Sequence, residues 1–203
     1  IEDTALSLGA QAGLAYRAAQ INEELTTRTH ELDETYNFYS MLLKQNVLPP
    51  VLAESDDSLN LDSPNAIRLA SKTYTIVSQA RFVTAPPTWR DYLWMDFSKP
   101  DVPDRTLLPK TIDEQRVWKH SVEIGWNNGF NQANNIFSAN LNRINRDYQG
   151  MALYRKLYSE NMVSAPYVAK TELGITGDAS QMNINDRILR ITALPQLNLR
   201  GNT

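Results

Sequence analysis

The chain has 203 residues, 42% of them hydrophobic, with a formal net charge of −3 and a pI near 5.4. That is enough apolar material for one domain of good size, and the acidic balance argues against nucleic acid, whose binding needs Lys and Arg to neutralise phosphates. Cysteine is absent, which removes disulfides, thiol catalysis and thiolate metal sites, and no run approaches the roughly 18 apolar residues of a membrane span.

Charge is unevenly spread, with 11 acids against 3 bases in residues 1–64 and 12 against 17 in residues 65–203. Such asymmetry can steer a partner, although a solvated acidic face is the commoner cause. The chain begins at Ile1 with no basic-then-apolar leader, so it reads as a trimmed fragment or a mature form.

From Asp3 to about Glu24 the sequence predicts an amphipathic helix with Leu6, Gly9, Ala10, Gly13, Leu14, Ala18 and Ile21 on one side. Gly9 and Gly13 are four apart, as are Gly125 and Gly129, and small residues at that spacing let helix backbones approach closely. Either the two helices pack on each other, the favoured reading, or one of these faces takes a partner helix. Phe38 to Gln45 predicts a short second helix that ends before Pro49 and Pro50. Leu59 and Leu61, the turn Asp62-Ser63-Pro64-Asn65, then Ile67 and Leu69 have hairpin spacing, with a β-branched strand following from Thr73 to Val83. Pro86 and Pro87 close that region, and Trp89 to Trp94 predicts one or two helical turns before a loop bearing Pro100, Pro103 and Pro109.

The strongest pattern runs from Ile112 to Met162. Large apolar residues recur at Trp118, Val122, Trp126, Phe130, Phe137, Leu141, Ile144, Tyr148 and Met151, with Ala133 in step. The spacing predicts one unusually long helix, started by a capping box at Thr111 and Glu114. Beside the stripe stand eight asparagines: Asn127, Asn128, Asn131, Asn134, Asn135, Asn140, Asn142 and Asn145. Asparagine costs about 0.6 kcal/mol against Ala inside a helix, so something beyond local propensity holds this segment. Two readings stay open, a polar face buried on another protein or one packed on irregular loops of its own chain; an ordinary solvated face is the least favoured.

After Pro166, Tyr167 to Ile175 alternates as a strand, Gly177 to Ser180 supplies a turn, and Met182 to Ala193 returns with a bulge expected near Arg187 to Leu189. The predicted class is α+β in a single domain over residues 1–203: long amphipathic helices on a mainly antiparallel sheet built from the middle and C-terminal strands.

Chemistry is sparse. His30 and His120 have no partner at metal-ligand spacing, and phosphate-cradling loops and a Gly-x-Ser-x-Gly elbow are missing. Paired acids sit at helix ends and turns, where capping accounts for them. The reading is therefore no enzyme, no cofactor, no metal and no small-molecule substrate. Trp118 and Trp126 read as core. Trp89, Tyr92 and Trp94 could anchor a partner or form a lid over the core. With Asn127, Asn128, Asn131, Asn134 and Asn135 they are the candidate protein interface.

Gly125-Trp126-Asn127-Asn128-Gly129, Asn140–Arg143, Arg146–Met151, Asn161–Ala169 and Met182–Thr192, with Gln79–Val83 and Trp89–Leu93 upstream, resemble the DotC family. These are lipoproteins of Dot/Icm (type IVB) secretion systems, related to the TraI protein of IncI-type conjugation machineries. The match spans about residues 75 to 195. The resemblance implies a DotC-like domain on the periplasmic face of the outer membrane, held by a lipid anchor upstream of Ile1. It further implies a core complex in which DotD is a companion and DotH is recruited, with no catalytic residues or cofactors. The rival expectation is a periplasmic cell-wall glycan-binding or glycan-cleaving protein in which Trp89, Tyr92 and Trp94 stack on sugars.

Overall fold

The computed structural model describes residues 1–200. Its helices are α1 (Glu2–Thr27), α2 (Thr29–Thr35), α3 (Trp89–Leu93) and α4 (Ile112–Ser159), and its strands are β1 (Val47–Leu48), β2 (Val51–Ser63), β3 (Ala66–Ser78), β4 (Arg81–Phe82), β5 (Tyr167–Gly177) and β6 (Met182–Ala193). The class is α+β, as the patterning predicts.

The 48-residue α4 starts where its capping box is written. Glu114 N donates to Thr111 Oγ1 at 3.2 Å, while Thr111 N and Lys110 N donate back to the Glu114 carboxylate at 3.0 and 2.7 Å. Those donations, Lys110's first, hold the Glu114 carboxyl below its usual range. A second capping box, Thr88 with Asp91, starts α3.

Two compact units divide the chain, each from two separated stretches: Ile1–Asn37 with Pro87–Asn145, and Phe38–Pro86 with Arg146 onward. α4 supplies residues to both.

In the first unit the four glycines meet. A Cβ on Gly9 would overlap Val122 O and lie 2.9 Å from Trp126 N, and one on Gly13 would overlap Trp126 O. From the other side, a Cβ on Gly125 would overlap Leu6 O, and one on Gly129 would overlap Ala10 O and lie 2.8 Å from Leu14 N. Residue numbers rise together along the contact, so α1 and α4 run parallel here with backbone against backbone. The buried lane on α1 is Ala5, Gly9, Gly13, Ala18 and Ile21; on α4 it is Ser121, Gly125, Gly129 and Ala133. Every member of the predicted large-residue stripe on α4 is buried or half-buried. α3 is tied to the same unit by the Asn22 amide, which donates to Met95 O at 2.6 Å and accepts from Met95 N at 3.1 Å.

In the second unit the end of α4 lies on the start of β2. A Cβ on Gly150 would sit 2.7 Å from Leu52 O. Leu52, Tyr154, Leu157 and Val163 form a core cluster there, with Tyr74, Ile76 and Leu197 packed against it.

The structure departs from expectation in four ways. The strands make three separate two-stranded antiparallel ladders, β1–β4, β2–β3 and β5–β6, rather than one sheet, and each long strand takes as partner its neighbour in sequence across a short turn. The hairpin predicted at Leu59–Leu69 is present, with Leu59 opposite Leu69 and Leu61 opposite Ile67, yet it runs much farther, and residues 73–78 extend β3 instead of forming their own strand. Phe38 to Gln45 is two 3₁₀ turns rather than a helix, since Gln45 and Asn46 take φ of 62° and 56° and Leu43 N donates to Val47 O at 2.9 Å. The bulge in the second hairpin lies at Gly174 opposite Asp186, with Asn185 at φ 57°, where glycine and asparagine tolerate a left-handed backbone.

Helix contact of this kind gives a sharp prediction. Gly129→Ala forces α1 and α4 apart and should cost about 1–3 kcal/mol, the usual penalty of overpacking. Asn128→Ala, one residue away and exposed, should be neutral or stabilising by up to about 0.6 kcal/mol. Urea unfolding of both variants checks it; equal stabilities would refute the close-contact account.

Candidate protein interface

Between Glu123 and Arg143, α4 carries no charged residue and no histidine. Its exposed residues over this span are Ile124, Asn127, Asn128, Asn131, Gln132, Asn135, Ser138, Ala139 and Asn142; Asn127, Asn131 and Asn135, four apart, share one side of the helix, with Ile124 and Asn128 beside them. Asn134 belongs to the fold: it is half-buried and accepts from Arg17 Nε at 2.8 Å, while the Arg17 guanidinium lies over the Phe130 ring at 5.2 Å. Asn145 accepts from Tyr36 OH at 2.5 Å, and Asn140 is half-buried. The run therefore splits: two of its amides bond their own chain, and four of the five candidate asparagines stand in the open.

Amides can be removed from water at lower cost than ions, provided their donors and acceptors find partners. A surface without charge over five turns can thus be covered by another protein, and interface centres are depleted in charge. A plainly solvated helix has no need of this composition, because Glu, Lys or Arg would hold it better.

The aromatic trio is divided by the fold. Trp89 is 1% exposed. Its Nε1 donates to Asp33 at 2.7 Å, and Arg90 caps the ring at 4.1 Å from the centroid while lying 3.7 Å from the same carboxylate. Tyr92 is half-buried, with the Arg143 guanidinium 5.1 Å from its ring centre. Trp94 is 46% exposed. Only Trp94 and part of Tyr92 are thus within reach of a partner or a sugar.

Three surfaces went unmarked in the sequence. At the end of the β2–β3 hairpin Leu59, Leu61, Ile67 and Leu69 are exposed. At the end of the β5–β6 hairpin Ile175, Met182 and Ile184 are exposed. Their alternation matches that of a half-buried strand, but these faces stand exposed. The third surface is an apolar cleft of about 330 Å³ lined by Leu43, Lys44, Tyr154, Tyr158, Pro166 and Val168. Among the described residues no three His, Asp or Glu side chains gather to hold a metal, and no helix is long and apolar enough to cross a membrane.

Tyr154 donates to Ser164 O at 3.3 Å beside this cleft, and burial pushes its hydroxyl from 10 up to about 12. Below pH 10 it is neutral folded and unfolded, so its contribution is fully present; between about 10 and 12 only the unfolded chain ionises and stability falls. Tyr154→Phe should remove part of this alkaline decline. Urea unfolding compared near pH 9 and pH 11 tests it, and an unchanged decline in the variant would contradict the assignment.

Curated proteins give no match to the chain. The family model described as type IV secretory system, conjugal DNA-protein transfer, matches residues 1–202. With its whole described fold inside that match, the chain belongs to the TraI family of type IV secretory systems.

Proposed function

We propose that the protein is a DotC-like, non-enzymatic structural subunit of the outer-membrane core complex of a type IVB secretion system. It acts at the periplasmic face of the outer membrane, held there by a lipid anchor upstream of Ile1. With a DotD-type companion it recruits a DotH-type protein to that membrane. Membership of a family of secretion and conjugal transfer supports this reading. The observation that carries it is the uncharged amide face of α4, formed by Asn127, Asn128, Asn131 and Asn135 and open to a partner. Such a face gives up helix propensity and suits a neighbour that pairs with it.

The test replaces Asn127, Asn128, Asn131 and Asn135 together with Lys, sparing Asn134 because its bond to Arg17 is structural. All four positions are exposed, so the thermal midpoint should stay within about 3 °C of the parent, as expected for surface changes. The fraction of DotH-type protein in the outer membrane should fall about tenfold or more, since buried ammonium groups meet unprepared partners. Undiminished recruitment would exclude this face as the interface. Saturable binding of soluble peptidoglycan that is lost in Trp94→Ala would point to the glycan reading instead.

A further inference from the structure

The two long hairpins end in surfaces that neither unit's core explains. Leu59 and Leu61 alternate on β2 and pair directly with Leu69 and Ile67 on β3, so all four side chains share one face of the hairpin. All are more than half exposed, from 58% to 73%. In the second hairpin Gly177 is opposite Met182, which puts Ile175, Met182 and Ile184 on a common face with exposures of 64% to 69%. A two-stranded hairpin standing in water is marginal by itself, and clustered exposed aliphatics mark a contact surface.

Charge around the tips selects the occupant. Asp56, Asp57 and Asp62 surround the first, and its bases are Arg68 and Lys72, of which Lys72 is engaged by Glu54 and Asp56. The second has Glu172, Asp178 and Asp186; Glu172 is engaged by Lys170 and stands opposite Arg187, and no base lies between residues 172 and 187, so Asp178 and Asp186 set the charge of this tip. Neither tip holds an aromatic residue. A bilayer is disfavoured, because anionic headgroups repel such tips and the usual Trp, Tyr and Lys anchors are missing. Tip-to-tip pairing of two copies is disfavoured by like charge. The aliphatic area is also well below the roughly 800 Å² per partner of a stable interface, so each tip is an anchor within a larger contact.

We infer that both hairpin tips dock their aliphatic faces into apolar grooves rimmed by Lys and Arg on a neighbouring protein of the secretion machine. This rests on the structural role proposed above.

The absence of cysteine makes the test specific. Single variants Leu61→Cys and Ile184→Cys probe the aliphatic faces, and Asn60→Cys and Asn183→Cys, exposed on the opposite faces, are the controls. In the purified chain all four should react with a maleimide. In the machine isolated from cells, Leu61→Cys and Ile184→Cys should be protected about tenfold or more while the controls still label. Leu61→Arg should weaken retention in the machine more than Leu61→Glu. Equal labelling of both faces in a machine that retains the chain overturns the inference and leaves the structural role standing. Loss of the unsubstituted chain from the machine overturns both. Co-sedimentation of the purified chain with phosphatidylethanolamine–phosphatidylglycerol vesicles, or self-association that protects Leu61→Cys, overturns it in favour of a bilayer or a second copy. A stronger effect of Leu61→Glu than of Leu61→Arg overturns the basic rim.

Discussion

Contact between the backbones of α1 and α4 sets the arrangement of the first unit. With side chains at Gly9, Gly13, Gly125 and Gly129 the helices could not approach to this distance, because each Cβ position is already filled by a carbonyl of the other helix. Close approach brings many weak contacts to bear at once, including Cα–H groups against carbonyl oxygens. It also fixes rotation. Once the small lane of α4 faces α1, Trp126 and Phe130 must flank the contact, and Tyr16 meets Trp126 with ring centres 5.2 Å apart. The opposite side of α4, where Asn127, Asn131 and Asn135 lie, is then forced outward. The amide face is exposed as a consequence of the glycine contact, and its chemistry is a separate choice made on a surface that packing leaves free.

That separation explains why the asparagines divide as they do. Asn134 and Asn145 border the packed side, where Arg17 and Tyr36 reach them, and burial raises the Tyr36 hydroxyl above its ordinary value. Asn127, Asn128, Asn131 and Asn135 stand exposed, with no such neighbours among the described residues. Helix stability in this stretch comes from tertiary contact rather than propensity, so α1 makes a poor helix-forming composition tolerable and the exposed face free to vary for other ends.

Local rules were legible in the residues. The capping box at Thr111 and Glu114, the stripe from Trp118 to Met151, the four-residue glycine spacing and the turn at Pro64-Asn65 each depend on atoms a few positions apart, and each is in place. What depends on distant partners was not. Alternation in Leu59–Leu69 and Tyr167–Ile175 cannot tell a strand inside a sheet from one arm of a hairpin, since period two is common to both. The burial of Trp89 is decided by Asp33 and Arg90, 56 residues and one residue away, and the first of these is invisible to a local window. Of the candidate interface, the asparagine face could be read because its missing charges are a property of the helix alone. The hairpin tips could not, because period-two alternation reads the same whether or not another layer covers the face.

Exposed aliphatic hairpins also pose a hazard that the sequence answers. Unpaired strand edges and clustered Leu or Ile invite pairing between copies. Asp56, Asp57 and Asp62 on one hairpin, and Asp178 and Asp186 on the other, place like charge beside each aliphatic cluster. Asp178 is further fixed by donations from Ser180 and Gln181 that keep its carboxyl below the usual range, Ser180's hydroxyl first, so this charge persists in mildly acid conditions. The same acids that oppose self-pairing admit a partner of opposite sign, which makes them a filter as well as a safeguard. The two units thereby carry surfaces of different chemistry, one neutral and amide-rich, the other aliphatic and acidic. On the structural role proposed above, a single kind of neighbour would not match both.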